Sequence, residues 1–216
     1  PISLMMMLLA LIGGRVTPGF TSDYLVERGL ADELPAFSTL DGAAILLLAI
    51  AALTWCIQPL AAPTGWLLAG ASAAHAVRLS RWRGWLTWHE PIVLILHMGY
   101  GWLALALLIL GGAALGFGLK PADAVHALTT GAVGAMTMAV MTRASLGHTG
   151  RPKHADPVTV AIYTLVNLGA LIRVFGPATG LPMNVVLGLA AAAWGGAYLL
   201  FAAVYGPYLV RSGRDE

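Results

Sequence analysis

Charged residues are scarce in this chain. Only 10% of its 216 residues are Asp, Glu, Lys or Arg, whereas 58% are hydrophobic. Soluble domains carry about a quarter charged residues, so this chain has too little polar surface to cover a water-soluble fold. The net charge of +2 is small and gives no support to binding of nucleic acid. Together with a mean hydropathy of +0.79, these values predict an integral membrane protein whose first partner is the lipid bilayer.

Several patterns that carry chemistry in other proteins are also missing. The single cysteine, Cys56, excludes a disulfide framework within the chain. The sequence contains no phosphate-binding P-loop, dinucleotide fingerprint, paired-cysteine motif, zinc-protease motif or nucleophile elbow. Hydrolases and nucleotide-dependent enzymes therefore have no support, and enzymatic activity stays an open question. Any chemistry has to come from a bound cofactor or from polar groups inside a helical bundle.

Apolar segments recur along the chain and are separated by Pro, Gly and charged residues. A helix needs about 20 apolar residues to cross a bilayer, and the first segment falls short of that length. The pattern predicts an all-α, polytopic transmembrane helical bundle of six full spans and one truncated N-terminal span, with a long loop over 14–39. We expect one membrane domain over 1–216, the C-terminal part of a longer protein. The segments are 2–12, 40–57, 65–77, 92–110, 122–140, 158–174 and 185–205.

Lys and Arg are distributed unevenly between the two ends of these segments. Ten lie in alternate loops and in the C-terminal tail, whereas two, Lys120 and Arg173, lie on the opposite side. Cytoplasmic loops carry the excess of Lys and Arg in membrane proteins, so we expect a cytoplasmic C-terminus. The ten are Arg15, Arg28, Arg78, Arg81, Arg83, Arg143, Arg151, Lys153, Arg211 and Arg214. Arg78 and Arg143 close their helices, and we expect both side chains to reach the membrane surface.

Two of the six histidines lie at one depth inside the expected spans. At 1.5 Å per residue, His75 and His97 lie about 7–9 Å below the cytoplasmic surface on consecutive helices. Imidazoles at one depth are candidate ligands for haem iron or a copper ion. The alternative is hydrogen bonding between helices. His126 is expected near the opposite surface and His148 in a cytoplasmic loop.

The segment that begins at His126 carries small residues four positions apart. This spacing predicts a helix face on which a neighbouring backbone packs closely; the residues are Ala127, Gly131, Ala135 and Ala139. The same segment holds three methionines, whose thioethers suit Cu(I), namely Met136, Met138 and Met141. Methionine also fills gaps in cores, and Met136 and Met138 point to different faces, so packing is the expectation here.

Three stretches of the sequence resemble a known family. They are the segment from His126-Ala-Leu-Thr-Thr-Gly131 to Met141-Thr-Arg143-Ala-Ser-Leu-Gly147-His148-Thr-Gly-Arg151-Pro152, the segment Leu96-His97-Met-Gly-Tyr100-Gly-Trp102, and the segment Gly13-Gly-Arg15-Val-Thr-Pro18-Gly-Phe20. In these stretches the chain resembles the NnrS family, polytopic bacterial membrane proteins linked to nitric oxide. The likeness extends over almost the whole chain.

The resemblance implies an inner-membrane protein of about twelve spans that contains haem and copper and takes part in the response to, or protection from, nitric oxide and nitrosative stress. His97, His126 and His148 occupy motif positions and are the expected metal ligands, with His75 added for a b-type haem. Arg15 and Arg143 are the matching arginines, and Arg143 is expected to pair with an anionic group such as a haem propionate. The missing N-terminal half of the same protein is expected to supply further ligands.

Two other classes of function stay open at this point. A transporter or permease for a small solute or metal would have broken helices and polar residues at mid-membrane, where Asn167 is the strongest candidate. The alternative role of Asn167 is a hydrogen bond to a neighbouring helix. A structural or assembly subunit would use the small-residue face but not the histidines.

Overall fold

Seven long helices form the part of the chain that the structure, a computed structural model, describes: residues 1–30, 34 and 37–210. No strand occurs within these residues. All the helices except α3 are long and apolar enough to cross a membrane, which confirms an all-α, multi-pass membrane protein. The helices are α1 (Ile2–Glu27), α2 (Thr39–Ile57), α3 (Ala62–Arg81), α4 (Pro91–Ala114), α5 (Pro121–His148), α6 (Pro157–Phe175) and α7 (Met183–Val210).

The first helix is longer than the sequence pattern predicts. Residues 14–27 were expected to form a loop, but they continue α1 as a regular helix. The sequence pattern does not indicate this continuation, because it includes Gly13, Gly14 and Pro18, whose residue types usually mark turns. The helix persists because Thr17, Thr21 and Leu25, spaced four apart, are buried against the bundle.

The central helix of the bundle is α4. It is the most buried of the spanning helices and packs against α1, α3 and α5. Two apolar cores meet along it: the first lies among α1, α2, α3 and the start of α5, and the second lies among the later part of α5, α6 and α7. Because α4 contributes to both cores, it holds the two halves of the bundle together.

The small-residue face of α5 is buried, as its spacing predicts. Gly131 lies directly against the indole ring of Trp102 on α4. That indole donates a hydrogen bond of 2.9 Å from Nε1 to Oδ1 of Asn167 on α6. The expected hydrogen bond of Asn167 to another helix is therefore confirmed, and Gly131 leaves the space that the indole needs to make it.

The basic residues gather at the end of the bundle where α1, α3 and α5 finish. Arg143, near the end of α5, stacks on Phe20 near the end of α1. Arg81, at the end of α3, bonds Ser38 just before α2. Arg211 and Arg214 lie outside the described residues. The assignment of this end to the cytoplasm stays a prediction.

We predict that Gly131→Ala destabilises the bundle. A Cβ at this position would meet the Trp102 ring, which has to move and thereby strains its bond to Asn167. We expect a loss of about 1–3 kcal/mol, the usual cost of overpacking, measured as a lower thermal unfolding midpoint in detergent. Gly188→Ala on α7 is the matched control, because a Cβ there meets nothing within 4 Å. Equal midpoints for the two variants would contradict the close approach at Gly131.

Candidate functional site

Arg78, in the last turn of α3, is buried with 1% of its surface exposed. The expectation that it reaches the membrane surface is therefore wrong. Its Nε donates to Oδ1 of Asp41 at 2.7 Å, and its Nη1 donates to the Tyr100 hydroxyl oxygen at 2.7 Å. Nη1 also donates to the carbonyl of Ala10 at 2.9 Å. One guanidinium thus connects α1, α2, α3 and α4.

An irregular turn in α1 receives the guanidinium. Residues Leu9–Gly13 form a π turn, in which the regular pairing of each carbonyl with the amide four residues later is disrupted. Arg78 bonds the carbonyl of Ala10 inside this turn and, at 3.4 Å, the carbonyl of Gly14 just after it. A Cβ on Gly14 would overlap the guanidinium, so glycine is needed here for the close approach.

Asp41 is held at the start of α2 by several donors. It accepts a hydrogen bond of 2.9 Å from the backbone N–H of Ser38, which together with the bond from the Asp41 backbone to the Ser38 side chain makes a capping box, and a further bond of 2.7 Å from the Ser38 hydroxyl. Arg81 Nη1 lies 3.4 Å from its second oxygen. The positive end of the helix and two arginines therefore favour the ionised carboxylate.

Tyr100 links the hydrogen bonds of Arg78 to His75. Its hydroxyl lies 2.7 Å from Nδ1 of His75, and both side chains are fully buried. The second nitrogen, Nε2, is buried and has no hydrogen-bond partner among the described residues. The Tyr100 oxygen accepts from Arg78, so its hydroxyl hydrogen can donate to Nδ1, which leaves the proton on Nε2; in the other tautomer Nδ1–H donates to the tyrosine oxygen and Nε2 keeps a lone pair. This is the arrangement of a histidine ligand whose other nitrogen is oriented by a hydrogen bond.

His97 belongs to a separate set of contacts. Its Nε2 lies 2.8 Å from the Thr21 hydroxyl, and its Nδ1 is buried without a partner among the described residues. The backbone of Gly84 covers the ring on the Nδ1 side. His97 contacts α1 at Thr21, seven residues or about 10 Å beyond Gly14. The two imidazoles thus have different hydrogen-bond partners, Tyr100 for His75 and Thr21 for His97.

The other predicted ligands lie elsewhere. His126 Nε2 accepts a hydrogen bond from Arg173. His148 is exposed at the far end of the same helix, about 33 Å away along the axis. It lines a cleft with Arg143, whose guanidinium carbon stacks 3.9 Å above the Phe20 ring. The structure thus does not bring His97, His126 and His148 together.

No three His, Cys, Asp or Glu side chains of the described chain are grouped as a metal site would require. Met136 belongs to the first apolar core and Met138 to the second, so the prediction of packing holds for both. Met141 and Met136 line an apolar cavity of about 380 Å³ beside α1. A complete copper site does not fit the described residues by themselves.

The network around Arg78 was not predicted from the sequence, although two local signals for it exist. Ser38-Thr-Leu-Asp41 before an apolar run is the pattern of a capping box, which places Asp41 at the start of α2. His75 and Arg78 are three residues apart and so share a helix face. The acceptors on α1 had no signal, because they are main-chain carbonyls exposed by an irregular turn.

These features define a multi-pass helical membrane protein with a buried ion pair and buried histidines. The family described as NnrS protein matches residues 2–212, nearly the whole chain. The chain therefore belongs to the NnrS family, and this membership links it to the nitric oxide response. No curated protein and no solved structure matches the chain.

We predict that Asp41→Asn destabilises the bundle strongly. Removal of one partner leaves the Arg78 charge buried without compensation, which costs about 3–5 kcal/mol. The measurement is the thermal unfolding midpoint in detergent. The double variant Asp41→Asn/Arg78→Met removes both charges and should recover part of the loss. A double variant less stable than Asp41→Asn would show that the guanidinium bonds to Ala10 and Tyr100 outweigh the charge effect.

Proposed function

We propose that this NnrS-family protein binds a b-type haem and acts in the response to, or protection from, nitric oxide in the bacterial inner membrane. The observation that supports it most is the buried imidazole of His75, whose Nδ1 lies 2.7 Å from the Tyr100 hydroxyl and whose Nε2 has no hydrogen-bond partner among the described residues. Haem iron, when bound, supplies the centre to which nitric oxide binds. The C-terminus is proposed to lie on the cytoplasmic side, where Lys and Arg are concentrated.

The residues of the chain have distinct roles in this proposal. His75 is the first residue that would hold the haem iron, and Tyr100 fixes the direction of its ring. Arg78 positions Tyr100 through the bond of 2.7 Å to its hydroxyl. His97 is the second candidate, since its Nδ1 is also unpartnered, but Gly84 has to move before that nitrogen can bind a metal. His126 has less support, because Arg173 already donates to its Nε2.

Copper is proposed as a second metal with ligands shared between this chain and the N-terminal half of the same protein. The resemblance places His97, His126 and His148 at motif positions, but these side chains lie in three separate places. At most one of these three histidines could therefore bind a given copper ion. Arg143 is proposed as the partner of an anionic group, since its guanidinium stacks on Phe20 with its edges free.

The transporter alternative has less support. Asn167, its best candidate for a substrate contact, is already bonded on both sides of its amide. Oδ1 accepts from Trp102, and Nδ2 donates to the carbonyl of Tyr163 at 2.9 Å. An Asn side chain whose oxygen and nitrogen are both hydrogen-bonded within the bundle stabilises helix packing.

The absorption spectrum of the full-length protein purified in detergent tests the haem proposal. We expect a Soret band in the wild type and a loss of most of it in His75→Ala. Tyr100→Phe should keep the haem but shift the band and its response to nitric oxide, because the ring of His75 loses its orienting bond.

His89→Ala is the matched control, because His89 is exposed and stacks only on Trp88. It should leave the spectrum unchanged. A loss of the band in His97→Ala with retention in His75→Ala would transfer the ligand role to His97. A colourless wild type with no iron or copper on elemental analysis would reject the proposal and favour a structural subunit.

A further inference from the structure

A cavity of about 540 Å³ lies where α2 begins and α3 ends. Among its described lining residues, three are arginines: Arg15 from the middle of α1, and Arg78 and Arg81 from the end of α3. The acidic residue of this described lining is Asp41. Three positive charges and one negative charge thus belong to the lining residues that the structure describes.

The negative charge of Asp41 is already compensated. It accepts from Ser38, Arg78 and Arg81 at distances between 2.7 and 3.4 Å. Arg15 is exposed and makes no ion pair or side-chain hydrogen bond with any described residue. Arg81 uses one nitrogen, Nη1, and keeps 31% of its side chain exposed. Donors of both guanidinium groups are therefore available for a ligand.

The rest of the lining suits a group that is charged at one end. Gly14 and Gly19 present bare backbone on α1, while Leu11, Ile45 and Trp82 form apolar walls. We expect the start of α2 and the end of α3 at a membrane surface, where lipid headgroups lie. Guanidinium groups match the oxygens of phosphate in geometry and charge.

We propose that this cavity binds a phosphate-class oxyanion, either the headgroup of an anionic phospholipid or free phosphate. Arg15 and Arg81 donate to the oxyanion, while Arg78 remains bonded to Asp41 and Tyr100 and contributes its charge. The site does not depend on haem, because none of the candidate haem ligands lines the cavity.

Binding to the full-length protein in detergent tests the proposal in two arms. Native mass spectrometry measures retained phosphatidylglycerol, and calorimetric titration measures inorganic phosphate. We expect Arg15→Gln to weaken binding roughly tenfold, the effect of losing a charge-assisted hydrogen bond, and Arg15→Lys to retain part of it. Arg28→Gln is the matched control: Arg28 is also exposed on α1, but it stacks on Tyr24 outside the cavity.

The two arms identify the source of the oxyanion. Loss of phosphatidylglycerol in Arg15→Gln alone supports a lipid headgroup, and weaker titration with phosphate in Arg15→Gln alone supports the free ion. Unfolding midpoints equal to the wild type show that the arginine variants are folded, as expected for an exposed residue. Binding of neither probe, or equal losses in Arg15→Gln and Arg28→Gln, would overturn the proposal. An unchanged Soret band in Arg15→Gln would show that oxyanion binding is lost without loss of haem, so the two proposals are tested independently.

Discussion

The buried guanidinium of Arg78 is the constraint on which the first half of the bundle depends. A charge removed from water is tolerated only where its donors meet acceptors and its charge meets an opposite charge. Asp41, Tyr100 and two carbonyls of α1 meet both needs, and together they belong to three different helices. The positions of α1, α2 and α4 around α3 are thus set by directional bonds, in a region where apolar packing against lipid gives little directional preference.

The same guanidinium lies between two features that have separate proposed roles. On one side it contacts the cavity with Arg15 and Arg81, and on the other it bonds the hydroxyl that orients His75. In the proposal Arg15 and Arg81 bind the oxyanion, and Arg78 keeps its bonds to Asp41 and Tyr100.

Composition and apolar periodicity were sufficient to predict the class of fold, because scarcity of charge and runs of apolar residues act over whole segments. Burial of the small face of α5 also followed from local spacing, and a bond from Asn167 to another helix followed from its position in an apolar segment, although its partner did not. The Arg78 network could not be predicted in the same way. Its position near a helix end is typical of a side chain that reaches the surface, and the contacts that bury it come from residues up to 68 positions away. Likewise, depth along a helix could be predicted for His75 and His97, but the direction of each ring could not.

The π turn in α1 has a consequence for the whole helix. One residue more than a regular turn requires is accommodated between Leu9 and Gly13. In a helix of 3.6 residues per turn, an extra residue rotates everything that follows by about 100°. Removal of one residue from this turn would rotate Arg15, Thr17 and Thr21 about the helix axis, away from their present neighbours. A different face of α1 would then pack against α4. The π turn at Leu9–Gly13 therefore shifts the register of α1, so the residues before it and after it present different faces to the bundle.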